Sequence, residues 1–291
     1  MLPVFLNLQF IKIYTQGLFL ILAFFWGSYL LWKLIRLTSY KEEEIFDCLF
    51  SGIFSGLFFG RLVYVILNFS KFGFDPIKFI LVNGFPGFSI IGGIFGFILS
   101  IFLFSKTIKT TFDEIIDYFI PSIFLALAFG KLGGFFSGSE LGSKTNFVLS
   151  LKYPGLNGKY HLTAFYEALL FFCGFYLAYV ILMLIRKNQG RKGLNWYFFI
   201  TWFGGVYFWF DKLKDNHLYF LNWSFNQVIG LLLHLTGVLY FLYYFRRQII
   251  KKIKNFISLI INNVKKIIGK IHQRTKSRIR KGKENNTGTS S

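Results

Sequence analysis

The 291-residue sequence is poor in charge, in acidic residues, in cysteine and in proline. Charged residues make up 16% of it, against roughly 25% in an average soluble domain. The two cysteines both lie in apolar runs, which argues against a disulfide scaffold and against a cysteine-ligated zinc site. Five prolines and the lack of any low-complexity tract argue against a linker-rich or fibrous protein.

Apolar residues are abundant instead: 54% of the chain is hydrophobic and 22% is aromatic, with 41 phenylalanines. This composition excludes a disordered chain and argues against a soluble enzyme. Seven segments have the roughly 20 mostly apolar residues that a membrane-spanning helix needs. They lie at about 14–32, 45–68, 87–105, 114–136, 163–185, 194–210 and 224–245. The sequence therefore predicts an all-α polytopic membrane protein, a seven-helix bundle over residues 1–246.

Lysine and arginine are dense in the connections after the first, third and fifth predicted spans. Those connections hold Lys33, Arg36, Lys41, Lys106, Lys109, Arg186, Lys187, Arg191 and Lys192. Because short cytoplasmic loops carry an excess of basic residues, this face is predicted to be cytoplasmic. The expected location is a bacterial plasma (inner) membrane, with the N-terminus outside and the C-terminus in the cytoplasm.

The net charge of +20 is concentrated near the C-terminus. Fourteen lysines and arginines, and no acidic residue, lie between Arg246 and Lys283. Apolar residues recur at helical spacing from Ile249 to Ile271, which predicts an amphipathic helix within a basic tail at 247–283, followed by a disordered end at 284–291. Anionic cytoplasmic lipid is its expected partner, at about 1 kcal/mol per basic residue. A solvated tail without a binding function is the alternative, and no nucleic-acid partner is expected because stacking aromatic residues are lacking.

Ionisable residues at membrane depth are costly, and each is therefore a functional candidate. Four of them lie within or at the ends of apolar segments: Arg61, Lys131, Glu167 and Asp211. Arg61 follows three glycines spaced four residues apart at 52, 56 and 60, a spacing typical of close helix packing. Its guanidinium must pair with a carboxylate, a carbonyl or a lipid phosphate.

Two glycine-rich stretches, at 87–96 and 130–142, are compatible with an anionic lipid headgroup or with helix packing and plain loop flexibility. The second contains Lys131 and Glu140. A further group, His161, Tyr166 and Glu167, stands at the start of the fifth span and suits acid–base work or substrate positioning. The alternative for this group is an aromatic anchor in which Glu167 pairs with Arg61. His234 is expected to form a hydrogen bond between helices.

Several stretches, in order, resemble the bacterial prolipoprotein diacylglyceryl transferase family over roughly residues 8–245. They are Ile13–Leu18, Gly60–Val65, Pro86–Gly93, Gly130–Phe135, His161–Glu167 and Asn226–Gln227. The resemblance implies transfer of a diacylglyceryl group from phosphatidylglycerol to a lipobox cysteine in the signal peptide of a prolipoprotein. No metal and no other cofactor is implied.

The resemblance also implies the roles of individual residues. Headgroup binding would fall to Arg61, Lys131, Gly133 and Gly134, and catalysis to His161, Glu140, Tyr166 and Glu167. Either His161 or Glu140 would serve as the base.

At several of these places the sequence departs from the family pattern. The family has a tyrosine at the position of Gln16 and a histidine at that of Ile91. It has an arginine at the position of Lys131 and an asparagine at that of Gly134. Ser139 occupies the position of a family glutamate, although this chain has a glutamate one residue later, at Glu140. An arginine expected near Val206 is missing, and Asp211 is only approximately at the position of a glutamate. Two other interpretations therefore stay open. One is a catalytically degenerate relative that binds lipid or lipidated peptide, and the other is a scramblase or small transporter.

Overall fold

The computed structural model describes residues 3–7, 12–82, 84–153, 155–214, 219–220 and 223–286. Nine helices lie within these residues. They are α1 (Thr15–Ile35), α2 (Glu42–Leu67), α3 (Phe69–Phe72), α4 (Pro76–Ile80), α5 (Ile90–Thr107), α6 (Phe112–Ser137), α7 (Thr163–Arg186), α8 (Leu194–Phe210) and α9 (Phe225–Asn286). The prediction of an all-α polytopic membrane protein is confirmed.

Six of these helices are long and apolar enough to cross a membrane: α1, α2, α5, α6, α7 and the Phe225–Gln248 part of α9. A helix pairs its own backbone N–H and C=O groups, and this is needed because the hydrocarbon of a membrane offers them no hydrogen-bond partners. The remaining predicted span, at 194–210, is α8, which has 17 residues. The count of seven spans stays a prediction.

Three short antiparallel hairpins lie outside the helices, two of them in connections. Strand β1 (Val4–Asn7) pairs with β2 (Lys12–Tyr14) before α1, β3 (Ser150–Leu151) pairs with β4 (Tyr160–His161) between α6 and α7, and β5 (Tyr219–Phe220) pairs with β6 (Trp223–Ser224) between α8 and α9. The connections after α6 and α8 also touch each other, since the Ser143 N–H donates to the Leu213 carbonyl at 2.7 Å. This end of the bundle carries the candidate site.

The connections after α1, α5 and α7 meet at the opposite end. Tyr40 and Thr110 share a hydrogen bond between their hydroxyls at 2.9 Å, and Arg186 donates to the Leu37 carbonyl at 2.8 Å. These are the three connections in which basic residues are dense. The fold therefore gathers the basic loops on one face.

Helix α6 is the central element, packed against α1, α5, α7 and α8. Large aromatic side chains fill the space that α6 shares with α7 and α8, and Phe119, Phe124, Phe171, Phe199 and Phe203 are all essentially inaccessible to solvent. Packing against a common central helix fixes the positions of its neighbours along the bundle axis. Side chains at the same position along that axis on α6, α7 and α8 can then contact one another.

Asp117, a buried carboxylate on α6, binds the start of α8. It was not among the residues predicted from the sequence. Its oxygens accept from the Gly193 N–H at 2.7 Å and the Asn195 N–H at 3.0 Å. The Asn195 side chain donates in return to the Asp117 carbonyl and to the Ala178 carbonyl on α7, both at 3.1 Å. An anion is favourable at a helix N-terminus, where backbone N–H groups lack partners. Asp117 thus sets the register of α8 against α6 and α7.

Helices α2 and α5 pack through glycines on both sides, as the spacing of residues 52, 56 and 60 predicts. A Cβ atom at Gly56 would lie 3.0 Å from the Gly93 carbonyl oxygen, and one at Gly92 would lie 2.6 Å from the Phe59 carbonyl oxygen. Helix packing therefore accounts for these glycines, including Gly92 and Gly96 of the 87–96 stretch. His234 forms the predicted contact between helices, with Nδ1 2.8 Å from the Thr201 carbonyl oxygen.

The chain divides into two compact units, Met1–Val238 and Leu239–Ser291. In the second unit α9 continues to Asn286, so that helix covers the predicted tail and residues 284–286 of the end predicted to be disordered. Residues 287–291 and the side chains of 249, 256, 257 and 259–286 lie outside the described part of the structure. The amphipathic arrangement of the tail, and the boundaries proposed for it, stay predictions.

Gly92→Ala should destabilise the bundle by roughly 1–3 kcal/mol, because the added methyl group meets backbone and forces α2 and α5 apart. Thermal unfolding in detergent measures the change as a lowered Tm. The matched control is Gly130→Ala, in the interior of α6, where a Cβ has no heavy atom within 4 Å. That variant should be neutral or slightly stabilising, since alanine favours helix. Equal effects of the two changes would contradict the packing interpretation.

Candidate functional site

Four charged side chains form a compact cluster at one end of the bundle: Lys131, Glu140, Glu167 and Lys214. Lys131 Nζ lies 2.7 Å from Glu140 Oε2 and 2.8 Å from Glu167 Oε2, and Lys214 Nζ lies 2.6 Å from Glu167 Oε1. The Glu167 side chain is fully buried, and those of Lys131 and Lys214 are 7% and 11% exposed. This four-charge cluster is the chemically richest arrangement in the described part of the chain.

The four charges come from α6 and the loop after it, from α7, and from the turn after α8. Lys131 lies near the C-terminal end of α6, and Glu167 in the second turn of α7. Helix α6 ends at Ser137. The next residue, Gly138, has a φ of 73°, which glycine adopts easily, and the chain then turns back so that Glu140 reaches Lys131. Lys214 follows the short 3₁₀ turn at the end of α8. The cluster therefore forms only when these three elements are assembled.

A buried tyrosine on α8, Tyr207, forms one wall of the cluster. Lys131 Nζ lies 5.6 Å and Lys214 Nζ 4.9 Å from the centroid of its ring. The face of an aromatic ring attracts a cation, and more strongly where water is excluded. The Tyr207 ring thus adds to the attraction by which Glu167 keeps the two ammonium groups near each other.

The cluster is electrically balanced, with two ammonium groups facing two carboxylates. Burial raises the pKa of Glu140, but the charges of Lys131 and Lys214 outweigh it and hold that pKa below its ordinary value. Glu140 is therefore an anion at neutral pH. Its side chain is 33% exposed, which makes it the member of the cluster nearest to the outside.

Asp211 anchors the turn that carries Lys214. Its carboxylate accepts from the hydroxyl of Ser224 and from Asn226 Nδ2 at 3.0 Å, which joins the end of α8 to the start of α9. The Lys214 N–H donates to the Asp211 carbonyl at 3.1 Å. Asp211 is buried at an apolar boundary, as expected, and its carboxylate is used to fix this connection.

His161 lies directly before α7, as predicted, at the base of the β3–β4 hairpin. Its ring contacts Phe147 and Tyr166, with centroids 5.9 and 6.4 Å away. The Tyr166 hydroxyl donates to the Leu149 carbonyl and so ties the hairpin to α7. His161 Nδ1 is buried and finds no hydrogen-bond partner among the described residues. The structure thus places a free ring nitrogen beside the hairpin.

Arg61 is buried, and three of its nitrogens donate to backbone carbonyls. Nε donates to Phe79 at 2.9 Å, Nη1 to Gly87 at 2.9 Å and Nη2 to Lys78 at 2.8 Å. These bonds tie the connection between α2 and α5 to α2. The alternative in which Arg61 pairs with Glu167 is wrong, because Glu167 takes both of its cations from Lys131 and Lys214.

The two predicted headgroup glycines have different surroundings. A Cβ at Gly133 would lie 2.7 Å from Phe19 Cβ, so this glycine allows α1 to approach α6. A Cβ at Gly134 would point at the Glu140 carboxylate, 3.1 Å from Oε1. Gln16, at the family's tyrosine position, accepts from the Ser137 hydroxyl at 3.2 Å and so braces the end of α6.

The structure thus brings together Lys131, Glu140 and Glu167 from the predicted set, and adds two residues that sequence reasoning missed. Neither Lys214 nor Tyr207 is a candidate on the sequence alone. A signal for Lys214 does exist in the sequence: it lies three residues after Asp211, within one turn of a boundary carboxylate. Nothing in the sequence distinguishes Tyr207 from its neighbours.

Comparison with known proteins identifies relatives over most of the chain. The family model described as prolipoprotein diacylglyceryl transferase matches residues 3–243. A phosphatidylglycerol–prolipoprotein diacylglyceryl transferase of Chlorobaculum tepidum is 29% identical over 263 residues, covering 81% of this chain and 87% of the relative. The proteins of that name from Finegoldia magna and Clostridioides difficile are 26% and 27% identical, covering 83% and 85% of this chain and 94% and 95% of their own lengths. All three names are those of transferases, which favours the lipid-transfer interpretations over a scramblase or transporter.

Glu167→Gln should destabilise the bundle by about 3 kcal/mol or more, because it leaves two buried ammonium groups facing a single carboxylate. The free energy of unfolding, measured by dodecyl sulfate titration in mixed micelles, gives the change.

The matched control is Glu114→Gln, since Glu114 pairs with Lys192 at 2.7 Å while the two side chains are 35% and 62% exposed. Water screens that pair, so its loss should change the stability far less. Similar losses for the two variants would show that burial does not control the strength of these pairs.

Proposed function

The chain belongs to the prolipoprotein diacylglyceryl transferase family, and from that premise we propose that it transfers a diacylglyceryl group from phosphatidylglycerol to a lipobox cysteine of a prolipoprotein. The single observation that carries this proposal is the four-charge cluster, in which two buried ammonium groups converge where the connections after α6 and α8 meet. A phosphodiester at a membrane boundary needs such cations, because charge-assisted hydrogen bonds are strong where water is scarce.

In this proposal Lys131 and Lys214 hold the lipid phosphate. The family resemblance leads one to expect arginines, and one of them is missing near Val206. Lys214, which follows α8, supplies a cation at the same end of that helix. Lysine binds a phosphate as a point charge and lacks the bidentate geometry of arginine. Arg61, which the sequence analysis assigned to the headgroup, is proposed to act by fixing the connection between α2 and α5.

The reaction itself needs a base for the cysteine thiol and a stabilised leaving group. The thiolate sulfur would attack the glycerol carbon that carries the phosphate ester. The bond from this carbon to oxygen would break, and its electron pair would leave on glycerol phosphate, beside the two ammonium groups. His161 and Glu140 are the two candidate bases, because Nδ1 of His161 is unpartnered among the described residues and Glu140 is partly exposed. Tyr166 would keep the hairpin beside His161.

A second candidate function is lipid or lipidated-peptide binding without transfer. The observation that favours it is Ile91, which stands where the family resemblance leads one to expect a histidine and cannot carry a proton. In that case phosphatidylglycerol would bind at the four-charge cluster, but no thioether product would form.

Complementation distinguishes the two functions. A bacterium conditionally depleted of its own transferase, and supplied with this chain, should accumulate thioether-lipidated lipoprotein, detected by mass spectrometry. Lys131→Met and Lys214→Met should each lower the yield about 100-fold or more, because each removes a cation from the developing charge. Lys192→Met is the matched control: Lys192 forms an ion pair at 2.7 Å at the opposite end of the bundle and should be dispensable. No product from a well-expressed, correctly inserted chain would favour the binding function.

We also propose an orientation with the N-terminus outside and the C-terminus in the cytoplasm. The gathering of the basic connections on one face supports it. The basic tail would then lie on the cytoplasmic side and be attracted to anionic lipid. The four-charge cluster would lie at the extracytoplasmic end, where a secreted precursor arrives.

Cysteine labelling tests this orientation in a chain whose Cys48 and Cys173 have been replaced by serine. With a membrane-impermeant maleimide on intact cells, Asn157→Cys should be labelled, whereas Gln189→Cys and Ser277→Cys should be labelled only after permeabilisation. Labelling of Ser277→Cys in permeabilised cells should become faster as salt is raised, because salt releases a basic segment from anionic lipid. The opposite pattern of accessibility would overturn the orientation, and a salt-independent rate would contradict lipid attachment of the tail.

A further inference from the structure

The charge balance of the four-charge cluster raises a difficulty for any anionic ligand. With Lys131 and Lys214 already neutralised by Glu140 and Glu167, entry of one phosphodiester would leave a net negative charge in a buried place. An uncompensated buried charge is strongly unfavourable. Binding therefore requires that one of the two carboxylates withdraw.

The structure distinguishes the two carboxylates clearly. Glu167 is fully buried on a regular helix and joins Lys131 to Lys214, so its departure would separate the two cations. Glu140 lies on a loop, is 33% exposed and has Lys131 as its only ion-pair partner among the described residues. The loop begins at Gly138, in a left-handed conformation that allows the chain to turn. Glu140 is the carboxylate that can move outward.

Gly134 gives the Glu140 carboxylate its present place. The carboxylate occupies the space into which a side chain at position 134 would project, with Oε1 3.1 Å from an added Cβ. Glu140 thus fills the position beside Lys131 that an anionic ligand would need. Once Glu140 leaves, Lys131, Lys214 and Glu167 together carry one net positive charge, which balances the single negative charge of a phosphodiester.

We propose that Glu140 is a resident counter-ion that the phosphate of the substrate lipid displaces from Lys131, and that the displaced carboxylate is then the base for the thiol. This inference rests on the proposed transfer function and identifies how its site is loaded. The thiol proton passes to Glu140, the sulfur–carbon bond forms, and the carbon–oxygen bond to the phosphate breaks with its electron pair on oxygen. The proton then passes from Glu140 to the departing glycerol phosphate or to water. Because the base is released only when phosphate is bound, thiol activation is tied to the presence of the lipid.

The test compares lipid affinity with transfer in the purified full chain. Glu140→Gln removes the competing anion, so dioleoyl phosphatidylglycerol should bind about tenfold more tightly, as titrated by native mass spectrometry in detergent. Transfer to a lipobox peptide should fall about 100-fold or more, because the base is lost. Dioleoyl phosphatidylcholine and inorganic phosphate serve as further probes, and tightening for phosphate alone would mean that the cluster recognises the free anion and not the lipid.

The matched control is Glu43→Gln, an exposed carboxylate in the first turn of α2, which should change neither affinity nor transfer. Glu140→Asp keeps a carboxylate but shortens it by one methylene. It should bind the lipid more tightly than the wild type and transfer faster than Glu140→Gln. Elution as a single symmetrical species from size exclusion establishes that each variant is folded.

Each result decides the proposal in one direction. Unchanged or weaker lipid binding by both Glu140 variants overturns the displacement, and wild-type transfer by Glu140→Gln overturns the role as base. If the wild type itself forms no thioether product, the transfer function fails together with the base. The affinity comparison then still decides whether Glu140 competes with the lipid. Tighter binding combined with lost transfer supports both steps.

Discussion

The structure depends on the cost of burying the ammonium group of Lys131 among apolar helices. A lone cation at that depth would be prohibitively unfavourable, so carboxylates must come to it. Glu167 comes from α7 and Glu140 from the loop after α6, and Glu167 in turn requires Lys214 from the connection after α8. One buried charge therefore fixes the mutual positions of three helices and two connections. Packing alone would leave their relative heights less well defined.

Helix α6 carries two polar contacts of different kinds. Asp117, near its first end, is satisfied completely by backbone N–H groups at the start of α8, in a contact that resembles a helix cap. Lys131, fourteen residues later along α6, pairs with the side-chain carboxylates of Glu140 and Glu167. Because α6 and α8 rise by the same amount per residue, the first contact sets which α8 residue stands beside Lys131. That residue is Tyr207. A contact at one end of the bundle thus specifies a wall of the site at the other.

The sequence was sufficient for the fold class and for most of the spans, because a long apolar run in a membrane protein has few alternatives to a helix. It also identified Lys131 and Glu167, since charges within such runs are rare and costly. The sequence did not identify Lys214 and Tyr207, because a lysine in a loop and a tyrosine in an aromatic-rich helix are both common. Only the packing of α8 against α6 brings them to the site. The pairing of Arg61 with Glu167 failed for the same reason: composition identifies a buried charge but not which of several partners tertiary structure brings to it.

The resemblance to the family implies a different residue at several positions of this chain, and two of those positions, 131 and 134, lie beside Glu140 in the structure. A glycine at 134 leaves a space, and Glu140 fills it. The ammonium group of a lysine at 131 pairs with a carboxylate or a phosphate as a point charge. An arginine would bind either anion through two parallel hydrogen bonds, and exchange of one anion for the other would be harder. The resemblance implies an arginine near Val206 on α8; in the structure, Lys214 brings a cation to the end of that helix, and its Nζ lies 4.9 Å from the centroid of the Tyr207 ring. Sites that lose individual residues without compensation leave buried charges unpaired. Here every member of the four-charge cluster has an opposite charge within 2.8 Å, so that no charge of the cluster is left unpaired.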